Sequence, residues 1–313
     1  MSTVWHERPE GGNRTAIRLA CVLGLNLGRT LVRVLLYPAT LYFALRRAPE
    51  RHAAQAFLAR VLGRRPSALE LLRYLHTYGQ VMLDRIFLLA ESLQRFDISS
   101  HGLDVLERQM AQGRGVLLLG AHVGSFDVLR VLGEKRPGVR VAVIMDRQQT
   151  RVMTEMLGAL NPKLSANIID AGADPTELAL AMHAAAREGA LIGLLADRAR
   201  PGEAVHDVDF FGTPASFPTA PYLVASLLNL PVVLCFGLYR GGNRYDLYFE
   251  AFADQIRLER RERIAQLAAW AQRYAARLEH YTRLAPYNWF NFYDFWHRRS
   301  DPPVARRKST SSD

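Results

Sequence analysis

The chain holds a single His-x4-Asp pair, His122 and Asp127, within Gly115–Val131 (GVLLLGAHVGSFDVLRV). A carboxylate on one imidazole nitrogen fixes the tautomer and leaves the other nitrogen free to take a proton as general base. The spacing alone is a weak signal, since such pairs recur by chance. Its setting says more: an apolar run ends at Gly120–Ala121, and a helical pattern starts near Ser125. His122 would then stand at the carboxyl end of a strand, the edge of an open α/β sheet where ligands gather. Asp127 would fall in the first turn of the next helix, where it could fold back towards the imidazole. Gly120 and Gly124 would let the backbone approach a substrate closely. Ser125 reads as a helix cap rather than a nucleophile. On the residues alone, a histidine satisfied by a neighbouring carboxylate for packing is as good a reading.

Arg147 and Arg198 each follow an aspartate at the end of an apolar run. Arginines at such an edge suit bidentate recognition of phosphate or carboxylate; paired with Asp146 and Asp197, they could equally staple loops. Phe210, Phe211, Phe217 and Pro218 could line an acyl groove or belong to the core. The segment Pro286–Trp296 (PYNWFNFYDFW) is mostly aromatic, which suits a membrane interface or packing over a sheet. The only cysteines, Cys21 and Cys235, cannot build a disulfide framework or a thiolate metal site. No other His/Asp/Cys group has metal-ligand spacing, so neither metal nor cofactor is expected.

The elements that must position these residues are legible as texture. Apolar runs at Val116–Ala121, Val139–Met145, Ala190–Ala196, Pro231–Gly237 and Tyr245–Ala251 predict strands, mostly buried on both faces. Helical patterns fall near Phe126–Lys135, Thr150–Leu160, Thr176–Glu188 and Ala220–Leu228, with a long one over Ile256–Leu284. The alternation predicts an α/β fold, a central mainly parallel sheet flanked by helices. Ahead of it, Pro49–Phe96 reads as two helices, the second opened by a Ser67–Glu70 capping box. The expected organisation is an N-terminal membrane-associating helical segment over 1–48, a domain over 49–300 and a disordered polar tail over 301–313.

Forty Lys+Arg against thirty Asp+Glu give a net charge of +10, and all the cations but Lys135, Lys163 and Lys308 are Arg. The excess suits an anionic lipid, an acidic protein or nucleic acid. No nucleic-acid module is present and the arginines are dispersed, so nucleic acid is not expected as a partner. In the apolar stretch Ala16–Leu45 the longest charge-free runs, Leu19–Gly28 and Val34–Leu45, fall well short of the ~20 residues needed to span a bilayer. Arg14, Arg18, Arg29 and Arg33 fall within roughly 100° of one helical face, as in a helix lying in a membrane interface with cations on phosphates. A core helix with a solvated Arg face fits the same spacing. Pro38 and Arg46–Arg47 are expected to end this unit.

GAHVGSFD resembles the His-x4-Asp block of the lysophospholipid acyltransferase superfamily, and its surroundings resemble the bacterial lipid A biosynthesis (late) acyltransferases. The likeness extends through Ile144–Arg147 (IMDR), Leu195–Arg198 (LADR), Phe210–Gly212 (FFG) and Pro214–Pro221 (PASFPTAP), and covers most of the chain up to about Arg299. The resemblance implies transfer of a fatty acyl group from a thioester to a membrane-lipid hydroxyl or amine. His122 would be the general base, oriented by Asp127, with oxyanion donors such as backbone N–H groups near Gly124. It implies acyl carrier protein as donor, with acyl-CoA second, on the cytoplasmic face of a bacterial inner membrane. It also tips Arg147 and Arg198 towards substrate binding. The residues before His297–Arg298–Arg299 depart from the Pro-Glu-Gln-Tyr/Trp stretch usual in lipid A enzymes. The acceptor therefore stays open between a lipid A precursor and an aminolipid, glycolipid or polyene-linked lipid. A hydrolase using the same pair to activate water is the alternative from another class.

Overall fold

A computed structural model describes residues 28–90, 93–129, 139–147, 166–200 and 202–296, with 155 and 158. The expectations for Arg14, Arg18, Cys21, most of the helix near 150–160, His297–Arg299 and the tail over 301–313 lie outside these residues.

Three helices open the described chain: α1 (Arg29–Arg46), α2 (Ala48–Leu62) and α3 (Ala68–Leu89). The capping box is formed, Ser67 Oγ accepting from Glu70 N and a Glu70 carboxylate oxygen from Ser67 N at 2.8 Å. There follow β1 (Asp97–His101), α4 (Leu103–Met110), β2 (Val116–Gly120), a 3-10 turn (Phe126–Leu129), β3 (Val141–Met145) and β4 (Ile168–Asp170). Then come α5 (Pro175–Arg187), β5 (Leu191–Leu195), β6 (Val205–Phe210), β7 (Thr213–Pro218), α6 (Ala220–Leu228), β8 (Val232–Gly241), β9 (Arg244–Ala253) and α7 (Arg263–Leu284).

Seven strands form one sheet in the order β1-β9-β8-β2-β5-β3-β4, parallel throughout except between β8 and β9; β6 and β7 make a separate hairpin. Alternate residues of β2 serve two cores. Leu117 and Leu119 enter the main one with α2, α3 and α7, while Val116 and Leu118 pack with Leu106 of α4 on the other face. Two buried faces explain why the central strands read as unbroken apolar runs.

Three boundaries differ from expectation. The described part of the helix at Phe126 is a 3-10 turn, α7 starts at Arg263 rather than Ile256, and α1 continues through Pro38 to Arg46. The arginines of α1 also face the other way. Arg29 is bidentate on the buried Asp84 of α3, at 2.6 and 2.8 Å, where Tyr245 Oη also donates at 2.9 Å. Arg33 donates to Gly242 O at 2.5 Å and to Tyr239 Oη. A buried carboxylate demands paired cations, so these arginines turn inward and the apolar stripe is what faces out. Leu31, Val34, Leu35, Leu41, Tyr42 and Leu45 are between 47% and 70% exposed. Among the described residues no helix is long and apolar enough to cross a membrane.

Candidate active site

Strands β2 and β5 are parallel neighbours with Gly120 opposite Leu195. Two residues beyond that pair stand His122 and Asp197, so the register sets both at the carboxyl edge of the sheet, side by side. His122 Nδ1 lies 2.8 Å from Asp197 Oδ1, and the His122 backbone N–H donates to Oδ2 at 3.1 Å. Trp289 Nε1 donates to the same Oδ2 at 2.9 Å. Asp197 is fully buried. Burial would raise its carboxyl, but the His122 imidazole, the Arg198 guanidinium and the Trp289 N–H together hold it well below the usual carboxylate range. An ionised Asp197 accepts, so Nδ1 carries the imidazole proton and Nε2 keeps its lone pair. Partial burial, and then the charge of Arg198, push His122 below its ordinary value against the opposing pull of Asp197. The ring is neutral near pH 7 and 39% exposed, at the wall of a cavity.

Asp127 does not take the place expected of it. Its carboxylate pairs with Arg85 of α3, Nε to Oδ2 2.7 Å, and both side chains line the cavity beside His122. The cause is the path of the chain after His122. Gly124 has φ +59°, and a Cβ there would lie 2.0 Å from Gly237 O. The 3-10 turn that follows tucks the Phe126 ring over Gly120 and Gly193, where added Cβ atoms would lie 2.9 and 2.7 Å from it. These glycines admit neighbouring protein, so for Gly120 the expectation of close substrate approach does not hold. Gly124 lines the cavity, but its N–H donates to Asn288 O at 2.8 Å, and Ser125 N–H donates to Gly237 O at 2.9 Å. Neither is left for an oxyanion. Ser125 is not a cap either: its Oγ is buried without a hydrogen-bond partner among the described residues.

The cavity is about 510 Å³. His122, Arg85, Asp127, Asp146, Arg198, Arg200 and Glu203 supply its charged and polar lining; Val141, Val143 and Met145 of β3, Leu178 and Met182 of α5 and Val224 of α6 are among its apolar lining. Among the described residues no group of three or more His, Cys, Asp or Glu could hold a metal ion.

The sequence profile of the bacterial lipid A biosynthesis acyltransferases matches residues 20–298. The chain belongs to that family. No curated protein matches it. It is therefore an acyltransferase of the lipid A type.

Other residues named from the acyltransferase sequence fall in different places. Arg198 lines the cavity, donates through Nη2 to Phe290 O, lies 3.8 Å from Asp197 Oδ2 and sits over the Tyr293 ring. Arg147 is exposed and does not line the cavity; its Nη2 donates to Ile168 O at 3.3 Å and its N–H to Asp170 at 3.2 Å. Phe210 and Phe217 are fully buried among Tyr274, Trp289 and Phe295, so they have no free face for an acyl chain. Phe211 also lies off the cavity, its N–H on Glu279 and its ring under Arg283. The acyltransferase's aromatic segment is a strap over the site. Trp289 bridges Val123, Phe290 N–H donates to His122 O at 3.0 Å, and Tyr74 Oη donates to Trp289 O at 2.8 Å.

Two members of the site escaped the sequence reading. Asp197 appeared only as a partner for Arg198. Arg85 lies within the stretch Pro49–Phe96 expected as helices, and nothing in its neighbours marks it out.

Proposed function

We propose that His122 is the general base that activates a membrane-lipid hydroxyl or amine towards an acyl thioester, with Asp197 as its partner carboxylate. The observation that carries this is the buried Asp197 carboxylate 2.8 Å from Nδ1 of His122, whose side chain lines the cavity. In the step proposed, the acceptor oxygen or nitrogen attacks the thioester carbonyl and gives its proton to Nε2. The tetrahedral species then collapses, the C–S bond breaks, and the sulfur leaves with the proton returned from Nε2. No covalent enzyme intermediate is needed. The imidazolium formed in between is stabilised by Asp197, the role of the buried carboxylate in a Ser-His-Asp triad.

The apolar part of the cavity suits the acyl chain, replacing the phenylalanine groove expected from sequence. Asp127 acts through Arg85, which it fixes at the cavity wall. Arg85 and Arg198 present two guanidinium groups there, suited to an anionic group of donor or acceptor. The excess of ten positive charges suits acyl carrier protein, a strongly acidic donor, with acyl-CoA second. The acceptor proposed is a lipid A precursor, with an aminolipid, glycolipid or polyene-linked lipid as the other candidates. The exposed stripe of α1 is proposed to rest on the cytoplasmic face of the inner membrane, since an apolar strip of that size needs a covering surface.

Thioester consumption with and without lipid acceptor tests the reading. Transfer requires both substrates. Consumption of donor at an equal rate without acceptor would show a hydrolase instead.

A further inference from the structure

We propose that Trp289 is a positioning residue for the His122–Asp197 pair, its indole N–H holding one carboxylate oxygen so that the other faces the imidazole. The inference rests on the reading of His122 as the base. An Asp197 side chain free to rotate could offer either oxygen, or neither, to Nδ1. Two donors fix it: the His122 backbone N–H at 3.1 Å and the Trp289 indole at 2.9 Å, both on Oδ2, which leaves Oδ1 for the ring nitrogen at 2.8 Å.

The indole is itself held on every side. It is fully buried, with edge contacts to Phe57, Phe210 and Phe295 at centroid distances of 5.1, 5.3 and 4.9 Å. Tyr74 Oη anchors its carbonyl, and Val123 bridges its backbone. Rings locked by packing can place a donor with the accuracy that a catalytic pair needs. This gives the aromatic segment a task inside the molecule, behind the reacting imidazole.

A donor on Oδ2 also tunes the pair. Hydrogen bonds to a carboxylate spread its charge and weaken its pull on the imidazolium. Removing the indole N–H should therefore raise the pKa of His122. The other charged and titratable groups facing the pair are Arg198 after β5, Arg85 on α3, Asp127 in the 3-10 turn, and Tyr274 of α7, whose Oη donates to Gly120 O at 2.6 Å. None of them is removed by the substitution tested.

Trp289→Phe in the full-length chain keeps an aromatic ring and deletes the donor. The expected result is a fall in kcat of roughly tenfold or more, the rate equivalent of one hydrogen bond to a charged group, with KM unchanged. The acid limb of the kcat/KM profile should move to higher pH. A limb that stays in place, whatever happens to kcat, would overturn the inference, because lost packing alone does not move it. If Trp289→Phe does not fold, the wild-type chain decides. Its indole N–H resonance, assigned by elimination with Trp5→Phe, Trp270→Phe and Trp296→Phe, should titrate with the His122 midpoint, and a flat resonance would overturn the inference. Neither failure touches the proposed function, which stands or falls on whether His122→Ala is inactive.

Discussion

Arg85 on α3 and Asp127 in the 3-10 turn form an ion pair of 2.7 Å beside His122, while the imidazole itself bonds to Asp197. The two carboxylates near His122 therefore have separate work. Asp197 holds the imidazole, and Asp127 holds an arginine.

That division predicts coupling between Arg85 and Asp127. Asp127→Asn and Arg85→Ala should each raise the KM of one substrate by about ten- to a hundredfold, the cost of a charge-assisted hydrogen bond. The double variant should be little worse than either single one, since both remove the same placed guanidinium. A double-mutant cycle of KM values checks this. Strictly additive losses would mean that the pair is not a unit.

The pH dependence follows from the direction in which His122 is shifted. In the proposed mechanism its base form is the active one, and burial with the nearby Arg198 lowers its pKa from 6.5. Rate should rise with pH through a limb centred below that value and then level off. Arg198→Ala removes the nearer positive charge, so the limb should move up. A wild-type limb above 6.5 would show that Asp197 outweighs the burial and the arginine.

Arg198 and Arg147 should behave differently. Arg198→Ala should raise KM by about ten- to a hundredfold, because its guanidinium reaches the cavity. Arg198→Lys should recover part of that, since an ammonium cannot reproduce the fork. Arg147→Ala should leave both Michaelis constants near wild type and lower stability by about 0.5–1.5 kcal/mol, the worth of an ordinary hydrogen bond. Steady-state kinetics and melting curves on the three variants decide. A large KM change in Arg147→Ala would place a ligand over the end of β3.

Membrane attachment should depend on the outward face of α1. Leu35→Glu with Leu41→Glu and Leu45→Glu should weaken sedimentation with anionic vesicles while hardly moving the melting temperature, because all three side chains are exposed. Charge reversal at Arg29 or Arg33 should instead unfold the protein, since both serve the network around Asp84. Unchanged vesicle binding by the triple variant would move the anchor to another surface.

The core of the fold was legible because β2, β5 and β8 are buried on both faces and read as continuous apolar runs. Edge strand β1 was not: Asp97–His101 is polar and exposed, as edges commonly are, and it carries no alternation to read. The hairpin of β6 and β7 was visible as motifs, without its pairing. At the site, His122 could be found from its place after a buried strand. Its partner could not, because β3 and β4 intervene in the chain between β2 and β5, and sequence order does not reveal that β5 inserts beside β2. The one available signal was that two buried runs each end two residues before a polar side chain. Likewise Phe126, Gly120 and Gly193 fit together only once those strands are neighbours.

The most direct test of the central claim is single-turnover acyl transfer from acyl carrier protein to a lipid A precursor by His122→Ala and Asp197→Asn, with folding verified by melting. General-base assistance contributes about 10²- to 10⁴-fold, and an amide at Asp197 would favour the wrong tautomer. Both variants should therefore retain less than about a hundredth of wild-type rate. Retention of more than about a tenth by folded His122→Ala would contradict the account, because no group other than His122 is assigned to take the acceptor's proton.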